Sequence, residues 1–312
     1  MYGTPVTAPD HQPPQIARAN GIDLCYEIFG SPDAEPMVLI MGLGAQMIQW
    51  DDDFCRQLAA RGFRVIRFDN RDIGKSSKFS GGKRLTAFEL FRLRFLDIPV
   101  AAPYKLSDMA KDTLGLMDAL GIASAHIVGA SMGGMIAQEI AISYPERVRS
   151  LTSIMSTTGN PRVPPPTRAA TAILMAPPAR TKEEFVARFA RTWKILRVGH
   201  FPEDEVLDRE RAERAFERGL NPAGAARQLR AILASGSRKA RLASVGAPTL
   251  VIHGTIDPLV HPFGGKDTAA SIPGAKLLMI EGMGHALPLP MWPEVIDAID
   301  VHAHAAVAPV VN

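Results

Sequence analysis

The sequence has little cysteine, no long apolar run and no strong excess of either charge. Only two cysteines, Cys25 and Cys55, occur in 312 residues, which excludes a disulfide framework and a cysteine cluster for a metal. We predict two buried free thiols and a reducing, cytoplasmic location. No stretch reaches the roughly 18 consecutive apolar residues of a membrane-spanning helix. The balance of 35 Lys and Arg against 32 Asp and Glu lacks the basic excess that marks nucleic-acid binding, so we expect neither a membrane nor a nucleic-acid partner.

What is present is the composition of a globular protein, with 46% hydrophobic and 21% charged residues. Ile16–Phe29, with Asn20 and Gly21 at its centre, predicts a β-hairpin. Short apolar runs then alternate with helical patterns, which predicts an α/β fold with a mostly parallel sheet flanked by helices. The first strands predicted from these runs are Met37–Met41, Phe63–Phe68, Ala125–Val128 and Val148–Met155.

The alternation stops after Met155 and resumes with the predicted strands Pro248–His253 and Lys276–Ile280. Four prolines lie between positions 161 and 166, and helical patterns without a clear strand follow. An insertion of this kind within an alternating sheet predicts a helical cap at one sheet edge. The predicted organisation is core 16–158, cap 159–244, core 245–302, and loose termini at 1–15 and 303–312.

A serine between a strand and a helix gives the sharpest chemical signal. Gly129-Ala-Ser131-Met-Gly133 follows the predicted strand Ala125–Val128 and opens the predicted helix Met132–Tyr144. A strained strand-to-helix turn that exposes a nucleophilic serine has this glycine spacing. The alternative is a serine that only caps its helix.

A serine nucleophile requires a base and a carboxylate that orients the base. Among eight histidines, His285 is favoured because two glycines precede it in a loop after a late strand. His253 is interpreted as a packed histidine that closes its strand. Asp257 follows that strand at the same sheet edge and is the favoured acid, the alternative being a turn residue before Pro258.

These motifs, together with Arg67-Phe-Asp69-Asn-Arg71-Asp-Ile-Gly74-Lys-Ser76, resemble those of the α/β-hydrolase family over nearly the whole chain. Within that family the chain is most similar to capped serine esterases of the aclacinomycin methylesterase-like group. The resemblance implies the α/β-hydrolase fold and a triad of Ser131, Asp257 and His285. Met41 stands where the family usually has histidine. We expect the backbone N–H groups of Leu43 and Met132 to form the oxyanion hole.

We therefore predict a serine hydrolase that cleaves carboxylic esters of small to medium hydrophobic molecules through an acyl-enzyme, without a cofactor or a metal. The alternatives are a haloperoxidase-type perhydrolase with the same triad and a non-catalytic ligand-binding protein. The substrate pocket is predicted to include Gly42, Met47, Met135 and Trp193.

The charged residues Asp69, Arg71 and Asp72 are predicted to brace a loop by ion pairs rather than to bind a metal. The expected partner is a small-molecule ester, and a homodimer is compatible with the sequence.

Overall fold

The fold is built on one eight-stranded sheet. The computed structural model describes residues 11–81, 85–86, 88–89, 100–202 and 205–307. The strands are β1 (His11–Ala19), β2 (Ile22–Phe29), β3 (Glu35–Ile40), β4 (Phe63–Phe68), β5 (Ala125–Ala130), β6 (Val148–Ile154), β7 (Thr249–Gly254) and β8 (Lys276–Ile280). Their order is β1-β2-β4-β3-β5-β6-β7-β8, with antiparallel pairing only at β1–β2 and β2–β4 in the described chain. The predicted mostly parallel sheet is confirmed.

The first two strands form the predicted hairpin. Asn20 and Gly21 have φ of 49° and 78°, the positive values that a two-residue hairpin turn requires at both positions. The prediction that residues 1–15 are loose is wrong for positions 11–15, which belong to β1. Two prolines there are tolerated because β1 is an edge strand and its register shifts between Gln12 and Gln15. Residues 1–10 lie outside the described part of the chain.

Nine α-helices lie within the described ranges. They are α1 (Asp52–Ala60), α2 (Leu106–Ala119), α3 (Met132–Ser143), α4 (Arg168–Met175), α5 (Lys182–Arg197), α6 (Glu205–Glu217), α7 (Pro222–Ser235), α8 (Phe263–Ser271) and α9 (Trp292–Val307). The prediction of a loose end from residue 303 is wrong as far as Val307, because α9 continues there and buries Ala303 against the core. Positions 308–312 lie outside the described residues.

Helices α4 to α7, residues 168–235, follow β6 and precede β7, and we call them the cap helices. Buried ion pairs join them to the loop after β4. Arg218 contacts Asp69 at 2.6 Å, and Arg227 contacts Asp72 at 2.7 Å. Arg71 of the same loop pairs with Asp112 of α2 at 2.5 Å. The prediction that these charged residues form ion pairs is confirmed, but the partners lie outside the loop, at Asp112 of α2, Arg218 after α6 and Arg227 of α7.

Both cysteines are buried free thiols, as predicted. Burial raises the pKa of Cys55 to about 12, and burial together with the nearby Asp69 carboxylate raises the pKa of Cys25. Both groups are therefore protonated at neutral pH, and a protonated thiol is a weak nucleophile.

Asp72 provides a test of how strongly the loop holds the cap helices. Burial raises the pKa of Asp72, but the Arg227 guanidinium, the Phe79 N–H and the Tyr104 hydroxyl outweigh burial and hold the pKa below its ordinary value. Because the folded-state pKa is the lower one, the ion pair stabilises the fold above the unfolded value of about 3.9. That contribution is lost as pH falls through the folded-state pKa.

We expect Asp72→Asn to lower the free energy of unfolding at pH 7 by about 3–5 kcal/mol, since it leaves the Arg227 charge buried without a counter-charge. Denaturant unfolding measures this, and the deficit should shrink below pH about 4. Asp118→Asn is the control, because Asp118 pairs with Arg147 at the surface and should cost at most about 1 kcal/mol. Equal stability of the two variants would contradict the anchoring role.

Candidate active site

Ser131 lies at a sharp turn between β5 and α3. Its φ of 56° and ψ of −119° are unusual for a residue with a side chain. Its backbone N–H donates to the Ile154 carbonyl at 2.9 Å, which ties the turn to β6. At Gly133 an added Cβ would lie 2.0 Å from the Ile40 carbonyl oxygen, so only glycine lets α3 begin this close to β3. The turn holds the half-buried Ser131 hydroxyl at the carboxyl edge of the parallel strands.

His285 brings the other two predicted residues together. Its Nε2 lies 3.0 Å from Ser131 Oγ, and its Nδ1 lies 2.7 Å from Asp257 Oδ2. The loop after β8 carries His285, and the loop after β7 carries Asp257. Because both strands run parallel to β5, all three loops leave the sheet at the same edge.

The ionisation state of Asp257 determines which nitrogen of His285 carries the proton. Asp257 Oδ1 accepts the backbone N–H groups of Leu259 and Val260, each at 2.8 Å. Burial raises the pKa of Asp257, but His285 and His253 more than offset burial and hold the pKa far below its ordinary value. An ionised carboxylate only accepts hydrogen bonds, so His285 donates from Nδ1. In the neutral imidazole, Nε2 then presents its lone pair to the Ser131 hydroxyl.

His253 is a second histidine against the same carboxylate, a contact that the sequence analysis missed. Its Nε2 donates to the Val260 carbonyl at 2.8 Å and lies 3.5 Å from Asp257 Oδ2. Its Nδ1 is buried, and no hydrogen-bond partner for it occurs among the described residues. The interpretation of His253 as a packed histidine agrees with these contacts, because Nδ1 faces the close approach of Gly265 in α8.

The loop after β3 passes directly over the serine. A Cβ at Gly42 would lie 3.1 Å from Ser131 Cβ and 3.6 Å from Ser131 Oγ. The next residue is Leu43, and Met132 is the first residue of α3, where helix N–H groups have no partner within the helix. Both backbones predicted to hold an oxyanion therefore adjoin Ser131.

Two side chains brace this loop, and the sequence analysis singled out neither. Asn70 donates from Nδ2 to the Met41 carbonyl at 2.9 Å, and Gln228 of α7 accepts the Gly44 N–H at 2.9 Å. Gln228 also donates to the Arg71 carbonyl at 2.9 Å. Asn70 lies within the family-like Arg67–Ser76 segment, so a signal for it existed. No local pattern identifies Gln228, because its role depends on how α7 packs.

A cavity of about 790 Å³ begins at Leu43, the residue that follows Gly42 in the loop over the serine. Among the described residues that line it, every side chain is apolar or absent. The lining residues are Leu43, Gly44, Leu85, Ile173, Leu174, Met175, Ala176, Pro178, Pro222, Ala223, Ala225, Ala226 and Leu229. Helices α4 and α7 therefore supply most of the wall.

None of the four residues predicted to form the pocket is among the described residues that line this cavity. Gly42 lies against Ser131 instead. Met47 is fully buried in a small cluster with Cys25. Met135 is buried in the main core on α3. Trp193 packs against Phe189, with ring centroids 5.8 Å apart. The side chains of Met47, Met135 and Trp193 pack within the core or the cap. Helical periodicity in the sequence does not distinguish such packed residues from residues that line a pocket.

Comparison with known families agrees with this geometry. The family described as having the alpha/beta hydrolase fold matches residues 35–290. This chain belongs to the α/β-hydrolase family. Within the described residues of this α/β-hydrolase, no helix is long and apolar enough to cross a membrane, and no group of three or more His, Cys, Asp or Glu side chains is arranged to hold a metal ion.

Two relatives of this α/β-hydrolase are rhodomycin D methylesterases, DauP of Streptomyces sp. (strain C5) and DnrP of Streptomyces peucetius. Each is 31% identical to it, and each alignment covers 94% of this chain and 99% of the relative. The enol-lactonase from Burkholderia xenovorans LB400 superimposes with a TM-score of 0.72 at 22% identity, covering 93% of this chain and 100% of that one. The last likeness shows the fold alone.

Proposed function

We propose that this α/β-hydrolase is a serine esterase that cleaves carboxylic esters of small to medium hydrophobic molecules. The observation that carries the proposal is the continuous hydrogen-bonded series from Ser131 through His285 to the ionised Asp257. It provides a nucleophile, a base in the correct tautomer and a buried counter-charge. Ester hydrolysis is also the activity named for the two methylesterases. Perhydrolysis and ligand binding without turnover stay alternatives.

In the proposed reaction, Ser131 Oγ attacks the ester carbonyl carbon while His285 Nε2 takes the hydroxyl proton. The Leu43 and Met132 N–H groups stabilise the oxyanion, a contribution typically worth about 3–4 kcal/mol per donor. The tetrahedral intermediate collapses to an acyl-enzyme, and the imidazolium protonates the departing alcohol. Water then attacks the acyl carbon, His285 accepts its proton, and that proton returns to Ser131 as the acid leaves. Asp257 stays ionised throughout and stabilises the imidazolium.

The substrate class follows from the cavity wall. A wall with no charged or hydrogen-bonding side chain among its described residues favours an uncharged hydrocarbon or aromatic group over a polar one. Leu43 belongs both to this wall and to the proposed oxyanion hole, so the group in the cavity is attached close to the reacting carbonyl. A methyl ester of a hydrophobic acid meets this requirement, and methyl esters are the substrate class in the names of the two relatives.

Ser131→Ala removes the proposed nucleophile. We expect complete loss of p-nitrophenyl ester hydrolysis and of labelling by a phosphonate. The unfolding temperature should be unchanged within about 2 °C, because the half-buried hydroxyl at this turn supports no core. Mass spectrometry of the wild-type adduct should locate the label on Ser131. Labelling of the variant at the wild-type rate would assign the chemistry to another residue.

Asp257→Asn tests the orientation of the imidazole. An amide in place of the carboxylate favours the wrong histidine tautomer, so kcat should fall by about 10⁴-fold. Asp267→Asn is the matched control, since Asp267 is a buried aspartate that accepts from Thr158 and Asn160 in the described structure and belongs to no proposed catalytic group. Comparable kcat values in the two variants would contradict the role of Asp257.

The cavity predicts a dependence on ester chain length. Each buried methylene contributes about 0.8 kcal/mol, so three further carbons should raise kcat/KM by about fifty-fold until the cavity is full. Ala226→Phe, which places a ring in the cavity, should move the optimum to shorter esters without changing phosphonate labelling. Ala187→Phe on the exposed side of α5 is the control. A profile that is flat with chain length, or unchanged by Ala226→Phe, would contradict the proposed pocket.

A further inference from the structure

The loop that carries His285 is held between the core and the cap helices by backbone hydrogen bonds. On the core side, the Ile256 N–H donates to the Met283 carbonyl at 3.2 Å. On the cap side, the His285 N–H itself donates to the Leu196 carbonyl at 2.7 Å. The residue with the central proton-transfer role is thus bonded through its own backbone to the cap.

The Leu196 carbonyl can accept the His285 N–H because it lies in the last turn of α5. The last four carbonyls of a helix have no partner within the helix. Val198 and Gly199 have φ of 61° and 72°, so the chain turns away at once. Arg197 forms a two-pronged ion pair with Asp208 of α6, at 2.5 and 2.6 Å. This buried pair fixes the end of α5 at the place where it meets the histidine loop.

Close backbone contact explains the glycine before the histidine. A Cβ at Gly284 would lie 2.1 Å from the Leu196 oxygen and 3.1 Å from the Arg197 carbonyl carbon. Contact distances for carbon are about 3.5 Å, so any side chain there would separate the loop from α5 by about an ångström. At Gly282, a Cβ would lie 2.1 Å from the His200 ring. The glycines of this loop thus admit the cap residues 196–200.

We propose that the Leu196 carbonyl is a positioning group for catalysis. Through its hydrogen bond to the His285 N–H, the docked cap fixes the position of the His285 imidazole. Displacement of α5 moves the histidine loop away from Ser131. His285 can therefore accept the Ser131 proton only while the cap is docked. The proposal rests on the proposed esterase function. A displacement of about 1 Å in a catalytic group can cost about a hundredfold in rate, which is the scale of the steric change at Gly284.

Gly284→Ala tests the contact directly. We expect kcat per active site, counted by phosphonate titration, to fall by about a hundredfold while KM changes by less than about threefold. Gly246→Ala is the matched control, because Gly246 has no positive φ, and no described residue other than its chain neighbours comes within 4 Å of an added Cβ. It should leave both constants unchanged. If Gly284→Ala only lowered the number of titratable sites, with wild-type kcat per site, the role would be structural and the proposal wrong.

A second pair of variants acts from within the cap and leaves the histidine loop intact. Asp208→Asn breaks the ion pair at the end of α5 and should lower kcat per site by about three- to thirtyfold. Glu217→Gln removes a contact to Lys182 that joins the same two helices at the opposite end of α5, and it should have no effect on kcat. Equal effects of the two substitutions would overturn the proposal.

A measurement without turnover separates this proposal from the esterase function. The Nδ1 proton between His285 and Asp257 should give a low-field resonance in the proton NMR spectrum. We expect this resonance to shift in Gly284→Ala and to stay in place in Gly246→Ala. If no ester were hydrolysed, the proposed function would fail, yet this shift would still support the positioning role of the Leu196 carbonyl. An unshifted resonance in Gly284→Ala would contradict that role even in an active esterase.

Discussion

The hydrogen bond from His285 Nδ1 to Asp257, at 2.7 Å, is the interaction on which the rest of the site depends. It requires an ionised carboxylate in a buried place, which is costly unless the charge is compensated. Two backbone N–H groups donate to that carboxylate, and His285 and His253 hold its pKa low against the effect of burial. Once the carboxylate is ionised, the tautomer of His285 is decided, and the lone pair that faces Ser131 follows from it.

Two of the surfaces where the cap helices face the core differ in their chemistry. Around the loop after β4, buried carboxylates of the core pair with cap arginines, as Asp72 does with Arg227. Beyond Leu43, the cavity wall from α4 and α7 is apolar among the described residues. Ion pairs require specific geometry to offset the desolvation of their charges, so they define how the cap is seated. The apolar wall requires only that water be displaced, which leaves its shape free to fit a substrate.

Much of the core could be predicted from the sequence alone, as could the grouping of the three catalytic candidates at one sheet edge. Phe63–Phe68 and Lys276–Ile280 are strands with the predicted bounds, because uninterrupted apolar runs between turn residues leave little choice. Ser131, Asp257 and His285 meet because each follows a parallel strand, so knowing the sheet type was enough to place them at one edge. Residues 11–15 were predicted to be loose, yet they belong to β1, because an edge strand accommodates the two prolines there.

Residues whose roles depend on tertiary packing could not be found in this way. The contact at Leu196 uses a main-chain oxygen, which any residue type provides, so composition carries no trace of it. Its only signal is the glycine across from it, Gly284, and sequence reasoning attributes such a glycine to flexibility. The roles of Gln228 and of the cavity alanines of α7 likewise depend on how this helix packs against the core. The cap contributes a main-chain acceptor to the histidine loop and an apolar wall to the cavity. Most of its side chains can therefore change without changing the chemistry. For this reason, substrate specificity is harder to predict from such a sequence than the catalytic residues are.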